Sequence, residues 1–579
     1  MKIFIKPIIC FFIGILLSFN YIWGNSNITI QKPQKIPRIR FAGDPFAQMA
    51  TTVFTETLND MLNKVEYGDN PDPKYPAGFF HTSTDPNGIP NYYHAMWTRD
   101  CGRGVIELCR LGFTEEAKMI SRYFLSHKNY IDHWGRELHH SSSKIEGYEL
   151  DGNNLIISAI CNTWRVNGKD KKLGQEFCEG LKPVINWVDT SMVNSPYWGL
   201  MPSCSELSGN PGNPFLLAYS IFGNYGMFTA LKQVADMAEF CGESELAAKA
   251  QSLHKKMEEA LPHLISDNKI SYAPEGCWFN AIDGRYGTAL DLSAWGHTSW
   301  PIWHWTRQLP FIQDYDYKKT KIEGDFETVN QKSYELLRTW MIKGKFFRKY
   351  GFVSNTGWTG MDGRHDETMG GYGQGFFTQA SLMVDDINIY GKCLEGIARL
   401  GYDGNVTAHE SYDRNPFVMN ECFNFENYEE GLDHTFGTHK GDRRELMENP
   451  GDEGNLVQEA EIIKAFSMVV GVTCTEKKLV FKPRLPWLWD EMECIDLPVT
   501  DDTGKIHRVN IKIKHERWLR KCTVEINGAD DFDSIDIRFG PFPPILKNVK
   551  NYELETTGNG SWVWLRNLLP NKTKFIVEL

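Results

Sequence analysis

A mainly α-helical domain followed by a small antiparallel β-sandwich is the fold class that this sequence predicts, and three observations predict it. From about Phe46 to Val470, apolar residues recur at helical spacing in segment after segment. After about Cys474 the period changes to two, and Val509-Asn510-Ile511-Lys512-Ile513-Lys514 alternates strictly. The 579 residues include 18 Trp, 23 Tyr and 34 Phe, a density that suits either a very large core or an aromatic-lined cleft.

The helical segments follow in order. Phe46 to Val65 is the first. Arg99 to Leu111 is the second, with Cys101, Val105, Leu108 and Cys109 on one stripe. Thr114 to His127, Asn153 to Val166 and Lys172 to Val188 come next. Pro214 to Cys241 contains a long amphipathic helix, and Ser244 to Leu264 follows it. Phe326 to Ile342 is another. Gln374 to Asp386 and Asn388 to Leu400 form a close pair. Leu456, Ala460, Ile463, Phe466 and Val470 mark the last stripe. The loops between them are rich in Gly, Pro and Trp, and several are long, as functional loops are. Strands are expected at Cys522 to Ile526, Ser534 to Phe539, Ser561 to Leu565 and Lys574 to Leu579, separated by Gly, Asn, Asp and Pro turns.

Composition narrows the functional classes. Hydrophobic residues are 41% and charged residues 23%, a globular balance. The net charge of −12 leaves no basic footprint for nucleic acid. Met1 to Lys6 is short and basic, Ile8 to Phe19 is apolar, and Asn25 and Ser26 are polar. This is the pattern of a secretory signal peptide, with cleavage expected near Gly24. The apolar run is short for a membrane span, so no integral membrane segment is expected in the mature chain. The expected division is therefore a signal peptide over 1–24, a helical domain over 25–474 and a β-sandwich over 475–579. The expected location is periplasmic or extracellular. Oligomeric state is not legible. Export permits disulfides, but there is no C-x-x-C pair, and the cysteines read as small apolar packing residues.

The chemistry-bearing motifs sit in loops that open helices. Trp97-Thr98-Arg99-Asp100 sets an indole, a guanidinium and a carboxylate within four residues. An indole stacks on the apolar face of a sugar ring, and Arg with Asp grips hydroxyls. An acidic residue with an ion pair at a helix start would leave the same pattern. Asp151 opens the helix after Glu149-Leu150 and reads either as a sugar contact or as an N-cap. Glu206 ends the loop Tyr197-Trp198-Gly199-Leu200-Met201-Pro202, whose aromatics and proline would raise a carboxyl pKa by desolvation. Trp278, Trp295, His297, Trp300, Trp303, His304 and Trp305 form either an aromatic core or a cleft wall. Trp358 and Arg364 precede a Gly-rich helix start, and Glu445, Glu448, Asp452 and Glu453 precede the last helix. There is no G-x-S-x-G elbow, no HExxH and no phosphate loop. His133, His139 and His140 lack a carboxylate at metal spacing, so neither a metal nor a cofactor is expected.

With Trp97-Thr98-Arg99-Asp100 opening the second of about a dozen helices, the chain resembles the six-hairpin glycosidases, the (α/α)6-toroid glycoside hydrolases of the glucoamylase-like clan. Lys478 to Trp487, with Pro483-Arg484-Leu485-Pro486-Trp487, is similar to the lead-in to the β-sandwich that follows the toroid in several such families. The resemblance implies an (α/α)6 toroid and a secreted, exo-acting, inverting hydrolase that releases a terminal sugar from an oligosaccharide or polysaccharide. It implies a general acid between the fifth and sixth helices, where Glu206 falls. It implies a base in the loop before the last helix, where Glu448 or Glu453 falls; the local sequence there departs from the family's. Trp97, Arg99, Asp100, Asp151, Trp198, Trp295, His297, Trp358 and Arg364 are the expected sugar contacts. The Arg and His near the expected mouth lean toward an acidic sugar such as glucuronic acid.

Two other classes fit the residues. A polysaccharide lyase on a similar toroid would use a Tyr or His base, for which Tyr148, His139, His140 and His365 are available, with Arg364 to neutralise a uronate. A non-catalytic glycan-binding protein would use the aromatics but not the paired loop carboxylates.

Overall fold

The computed structural model describes residues 33, 35–69, 75–83, 96–135, 138, 150–193, 199–202, 218–266, 275–279, 281–283, 289–290, 326–343, 351, 368–402, 422–424, 455–543, 552–557 and 560–579. A strand, β1 (Arg38–Gly43), leads into α1 (Pro45–Asn63). The start of α1 is fixed by Asp44, whose carboxylate accepts from the Ala47 amide at 2.9 Å, and by Pro45, which has no amide to leave unpaired. The helices that follow are α2 (Thr98–Arg110), α3 (Thr114–Ser126), α4 (Leu150–Val166), α5 (Lys171–Val193), α6 (Ile221–Cys241), α7 (Ser244–Ala260), α8 (Glu327–Lys343), α9 (Gly371–Met383), α10 (Ile387–Tyr402) and α11 (Leu456–Val470).

The chain alternates between two layers. In the inner layer α9, α11, α2, α4 and α6 are neighbours in that order. In the outer layer α3 packs on α2 and α4, α5 on α4 and α6, α7 on α6, and α10 on α9 and α1. Every residue of α2 and of α11 is buried, whereas α7 buries only the stripe Leu246, Ala250, Leu253, Met257 and Ala260. That contrast separates a helix enclosed by neighbours from an amphipathic one facing solvent. Helix α8 docks Tyr334, Leu337 and Met341 against Phe377 and Ala380 of α9 and Ile389 and Cys393 of α10. Short strands precede two inner helices. β2 (Ala218–Ser220) pairs with β3 (Ala281–Asp283), which pairs with β4 (Ala289–Leu290), and β5 (Thr368–Gly370) pairs with β6 (Cys422–Asn424).

After α11 the chain turns at Gly471, whose φ of 66° and approach to the Lys482 carbonyl leave no room for a Cβ. The strands are β7 (Val472–Thr475), β8 (Lys478–Phe481), β9 (Trp489–Thr500), β10 (Ile506–Glu516), β11 (Lys521–Asn527), β12 (Ser534–Phe542), β13 (Glu553–Thr557), β14 (Gly560–Leu568) and β15 (Lys574–Glu578). They build two five-stranded sheets, ordered β1-β9-β10-β11-β15 and β13-β14-β12-β8-β7. Two features differ from the sequence reading. The pair β8–β12 is parallel, because the chain between them makes β9 to β11 of the other sheet and so supplies the long crossover that a parallel pair needs. The first sheet also takes its edge strand β1 from ahead of the helices, Ile39 lying opposite Cys494 and Phe41 opposite Met492.

Both sheets bury alternate residues in the apolar core that the helices share. A charged staple crosses the same join. Asp385, in the turn between α9 and α10, accepts from Arg484 at 2.9 Å and from Arg538 at 3.0 and 2.8 Å. Burial works against the Asp385 carboxylate, but the two guanidiniums outweigh it and hold the group below the ordinary aspartate range.

Helix limits shift from the sequence reading in places. α4 begins three residues before Asn153, at Leu150, and α5 continues through Pro183 as far as Val193. Cys101, Cys109, Cys161, Cys178, Cys241, Cys277, Cys393, Cys474, Cys494 and Cys522 are free thiols, all buried except the half-buried Cys474, as expected of apolar packing residues. Among the described residues no helix is long and apolar enough to cross a membrane, and no group of His, Cys, Asp and Glu is arranged to hold a metal ion.

Candidate functional site

Four inner helices start side by side. Thr82 ties α2 to α11, since its hydroxyl accepts from the Trp97 amide at 2.9 Å and its carbonyl from the Leu456 amide at 2.8 Å. Asn455 caps α11 by accepting from the amides of Val457 and Gln458. Asn154 ties α4 to α6 by donating to the Gly223 carbonyl at 3.0 Å. Ser220 caps α6 through the Gly223 amide at 3.1 Å. Helix starts carry partial positive charge, so their clustering favours acidic side chains and oxygen-rich ligands.

Between α2 and α4 the approach is unusually close, and two glycines permit it. A Cβ on Gly152 would lie 2.2 Å from the Thr98 hydroxyl, and one on Gly102 would lie 2.9 Å from the Leu155 Cβ. The helices run parallel from there, with Cys109 and Thr163 in contact near their far ends at 3.6 Å. This packing sets Arg99 beside Asp151, and Arg99 Nε donates to Asp151 Oδ2 at 2.6 Å. Asp151 lies inside the first turn of α4, so its carboxylate serves the neighbouring helix and the N-cap reading fails.

The constellation is enclosed. Trp97 is 5% exposed, Arg99 4%, Asp100 6% and Asp151 1%. Asp151 Oδ1 is buried and accepts no hydrogen bond. A buried carboxylate oxygen without a donor is costly, and such atoms gather where a ligand supplies the partner. Trp97 forms the residue before α2 with extended backbone and no side-chain cap bond, so α2 is held at its start by Thr82 instead.

The structure brings together Trp97, Arg99, Asp100 and Asp151. Glu206, Glu448, Glu453, Trp198, Trp295, His297, Trp358 and Arg364 lie outside the described residues, as do Tyr148, His139, His140 and His365. Their surroundings in the chain are defined at two points. Glu206 falls between α5 and α6, and the loop ahead of it is fixed to α6. Met201 donates its amide to Asn224 Oδ1 at 2.7 Å, and Asn224 donates back to the Met201 carbonyl at 3.0 Å. Glu453 falls two residues before the cap Asn455. Of the tryptophan-rich stretch, Trp278 belongs to the core. It is buried, donates to Asn330 at 2.8 Å and meets Tyr225 and Phe326 edge-on or tilted. Sequence reasoning missed Thr82, Asn154 and Asn224, which hold the helix starts in place. The Asn that follows Asp151-Gly152 by two positions was the available signal for one of them.

A scan against protein-family models finds no match, and no curated protein matches the sequence. Solved structures match in fold. An α-L-rhamnosidase of Streptomyces avermitilis, complexed with L-rhamnose, is 9% identical with a TM-score of 0.50, over 94% of this chain and 42% of that one. An α-L-rhamnosidase from Aspergillus terreus is 10% identical with a TM-score of 0.50, over 92% of this chain and 50% of that one. A sialidase is 11% identical with a TM-score of 0.54, over 96% of this chain and 44% of that one. The chain thus spans half or less of the length of these three glycosidases. At such identities the likeness is one of fold.

Proposed function

We propose that this chain is an exported glycoside hydrolase, exo-acting and inverting, that releases a terminal sugar from an oligosaccharide or polysaccharide. The observation that carries the proposal is the enclosed Arg99–Asp151 pair with one Asp151 oxygen unsatisfied, on the same two helix starts as Trp97 and Asp100. An indole, a guanidinium and two carboxylates of this kind suit the apolar face and the vicinal hydroxyls of one sugar ring. The fold shared with rhamnosidases and a sialidase supports the same class.

In this reading the two-layer helical arc is part of a six-hairpin toroid formed within residues 25–474, with the β-domain of 475–579 docked on it and β1 lent to its first sheet. Residues 1–24 direct export. Arg99 orients Asp151, whose free oxygen accepts from a sugar hydroxyl, and Asp100 holds a second hydroxyl. Trp198, Trp295, His297, Trp358 and Arg364 complete the sugar contacts. Glu206 protonates the leaving oxygen, and Glu448, or Glu453 nearer the positive end of α11, activates water on the opposite face of the ring. An inverting pair of carboxyls stands ~6.5–9.5 Å apart to admit that water. The lean toward an acidic sugar rests on Arg364, because the Arg99 guanidinium already faces a carboxylate. A panel of chromogenic monosaccharide glycosides tests the proposal. Release of dye from at least one member, lost in Asp151→Ala, is expected; no release from any neutral or acidic member would overturn it.

A further inference from the structure

The chain that leaves α3 is held at the end of the helical layers where Asp151 lies. Trp134 fixes it there. Its indole donates to the Phe124 carbonyl near the end of α3 at 2.8 Å, its amide donates to Asn153 Oδ1 at 3.1 Å, and its carbonyl accepts from Asn153 Nδ2 at 2.9 Å. Lys128 donates to the Leu125 carbonyl at 3.3 Å and to the Gly180 carbonyl of α5 at 3.1 Å. Between these anchors the chain builds a stack of three rings. His133 lies 4.6 Å from Tyr130 and 4.5 Å from Trp187 of α5, centroid to centroid, with interplanar angles of 8° and 11°. Two rings so nearly parallel to a third at these distances lie on its opposite faces, so Tyr130 ends the stack. His133 covers one face of Tyr130 and Gly135 approaches the ring at Cε2, yet Tyr130 is 42% exposed. Beside it Ile131 is 95% exposed, and the Asp132 side chain, bonded to His133 Nδ1 at 2.6 Å, is 43% exposed.

We propose that Tyr130 is the platform for a sugar of the substrate beyond the one released, so that the substrate is a glycan rather than a glycoside of a small alcohol. The inference rests on the hydrolase reading and deepens it. A ring stacked on one side presents its other side to the apolar face of a pyranose. His133, Trp187 and the Trp134 anchors hold that ring in place before any ligand arrives, so little ordering entropy is lost on binding. The placement suits a long substrate. Tyr130 is four residues from Trp134, at most ~14 Å along an extended chain. Asn153, which grips Trp134, is two residues past Asp151 in α4, ~3 Å along the helix axis. The constellation at Asp151 is enclosed, whereas Tyr130 is in water. A glycan whose terminal sugar sits at Asp151 therefore has its later sugars at the rim, where Tyr130 stands. The half-exposed Asp132 carboxylate supplies an acceptor for sugar hydroxyls beside the ring. Stiffening of the loop accounts for His133 and Trp187 but gives no reason to leave the last ring of the stack exposed.

The chromogenic monosaccharide glycoside that best releases dye is compared with di- to pentasaccharides ending in the same sugar. The kcat/KM of the unaltered protein should rise with chain length beyond the disaccharide. Tyr130→Ala should lose ~3–10-fold more on the oligosaccharide that gains most than on the dye glycoside, the worth of one aromatic contact, with most of the difference in KM. Tyr130→Trp should restore it. A loss of the same size on both substrates would show that Tyr130 only props the loop, and would overturn the inference while leaving the hydrolase standing. A kcat/KM of the unaltered protein that does not change with chain length would overturn it equally, and that result needs no variant to fold. If the unaltered protein cleaves no glycoside at all, the hydrolase reading fails first and this inference falls with it.

Discussion

Arg538 grips Asp385 with two nitrogens, at 3.0 and 2.8 Å, and so bolts a strand of the β-domain to the turn between two helices. The same guanidinium reaches Glu555 at 3.0 Å and lies over the Trp562 ring at 4.0 Å, while Arg484 adds a second cation to Asp385. The join is therefore specified by geometry as well as by burial, since a bidentate pair fixes direction.

Removing the charge of Asp385 should destabilise the chain. Asp385→Asn keeps a residue that tolerates the local φ of 57° but leaves two buried guanidiniums without their carboxylate. A cost of about 3–5 kcal/mol is expected in chemical denaturation. The pH dependence has a definite sign. The folded pKa of Asp385 is depressed, so its contribution is fully present above the ordinary aspartate value and is lost as pH falls through the folded one. The unaltered protein should lose stability in acid more steeply than Asp385→Asn does; equal slopes would show that the staple contributes nothing.

Asp151→Asn should leave α4 in place, because the amide fits the same space, yet remove the charge that faces Arg99. Turnover on the best glycoside should fall by ~100-fold or more, since a hydroxyl clamp strengthens in the transition state. Asp100→Ala should lower kcat and raise KM together. If either variant only lowers the melting temperature and leaves both kinetic constants unchanged, the pair is structural and the sugar site lies elsewhere.

Glu206→Gln tests the acid. A loss of ~100-fold or more is expected on a natural glycoside, from the usual worth of general acid catalysis. Substrates with a good leaving group should suffer less, because they need little protonation. Full activity on the natural glycoside removes Glu206 from the mechanism.

The base is distinguished by chemical rescue. Glu448→Ala and Glu453→Ala should be compared on a glycosyl fluoride with and without azide. Azide can occupy the place of the water, so it should restore turnover in the variant that lacks the base. With neither variant impaired, the base lies outside the loop before α11.

What the sequence made legible was periodicity and local motif. The helix opened by Trp97-Thr98-Arg99-Asp100 and the alternating strands β10 and β11 stand where their patterns put them. Partnership across the chain was not legible. Nothing in Arg38–Gly43 says that it pairs with residues more than 440 positions later. The stripe on α2, with Cys101, Val105, Leu108 and Cys109, reads as amphipathic, and an amphipathic helix ordinarily turns its polar face to water. Here Arg103, Glu107 and Arg110 on the polar face are buried, because Glu461 of α11 receives Arg103, and Glu107 pairs with Arg103 and Arg110 along α2 itself. Asp151 was found as a candidate, but its pairing with Arg99 depends on a close helix approach at Gly102 and Gly152 that only the packing reveals.

The most direct test of the central claim follows the anomeric proton of the released sugar by time-resolved NMR as the mature chain acts on the glycoside that best releases dye. The account predicts a free sugar whose first-formed anomer is opposite to that of the substrate, no ultraviolet absorbance from a new double bond, and no release by Asp151→Asn over the same interval. An unsaturated product would identify a lyase and contradict the account, and so would sugar release at an undiminished rate by the Asp151 variant.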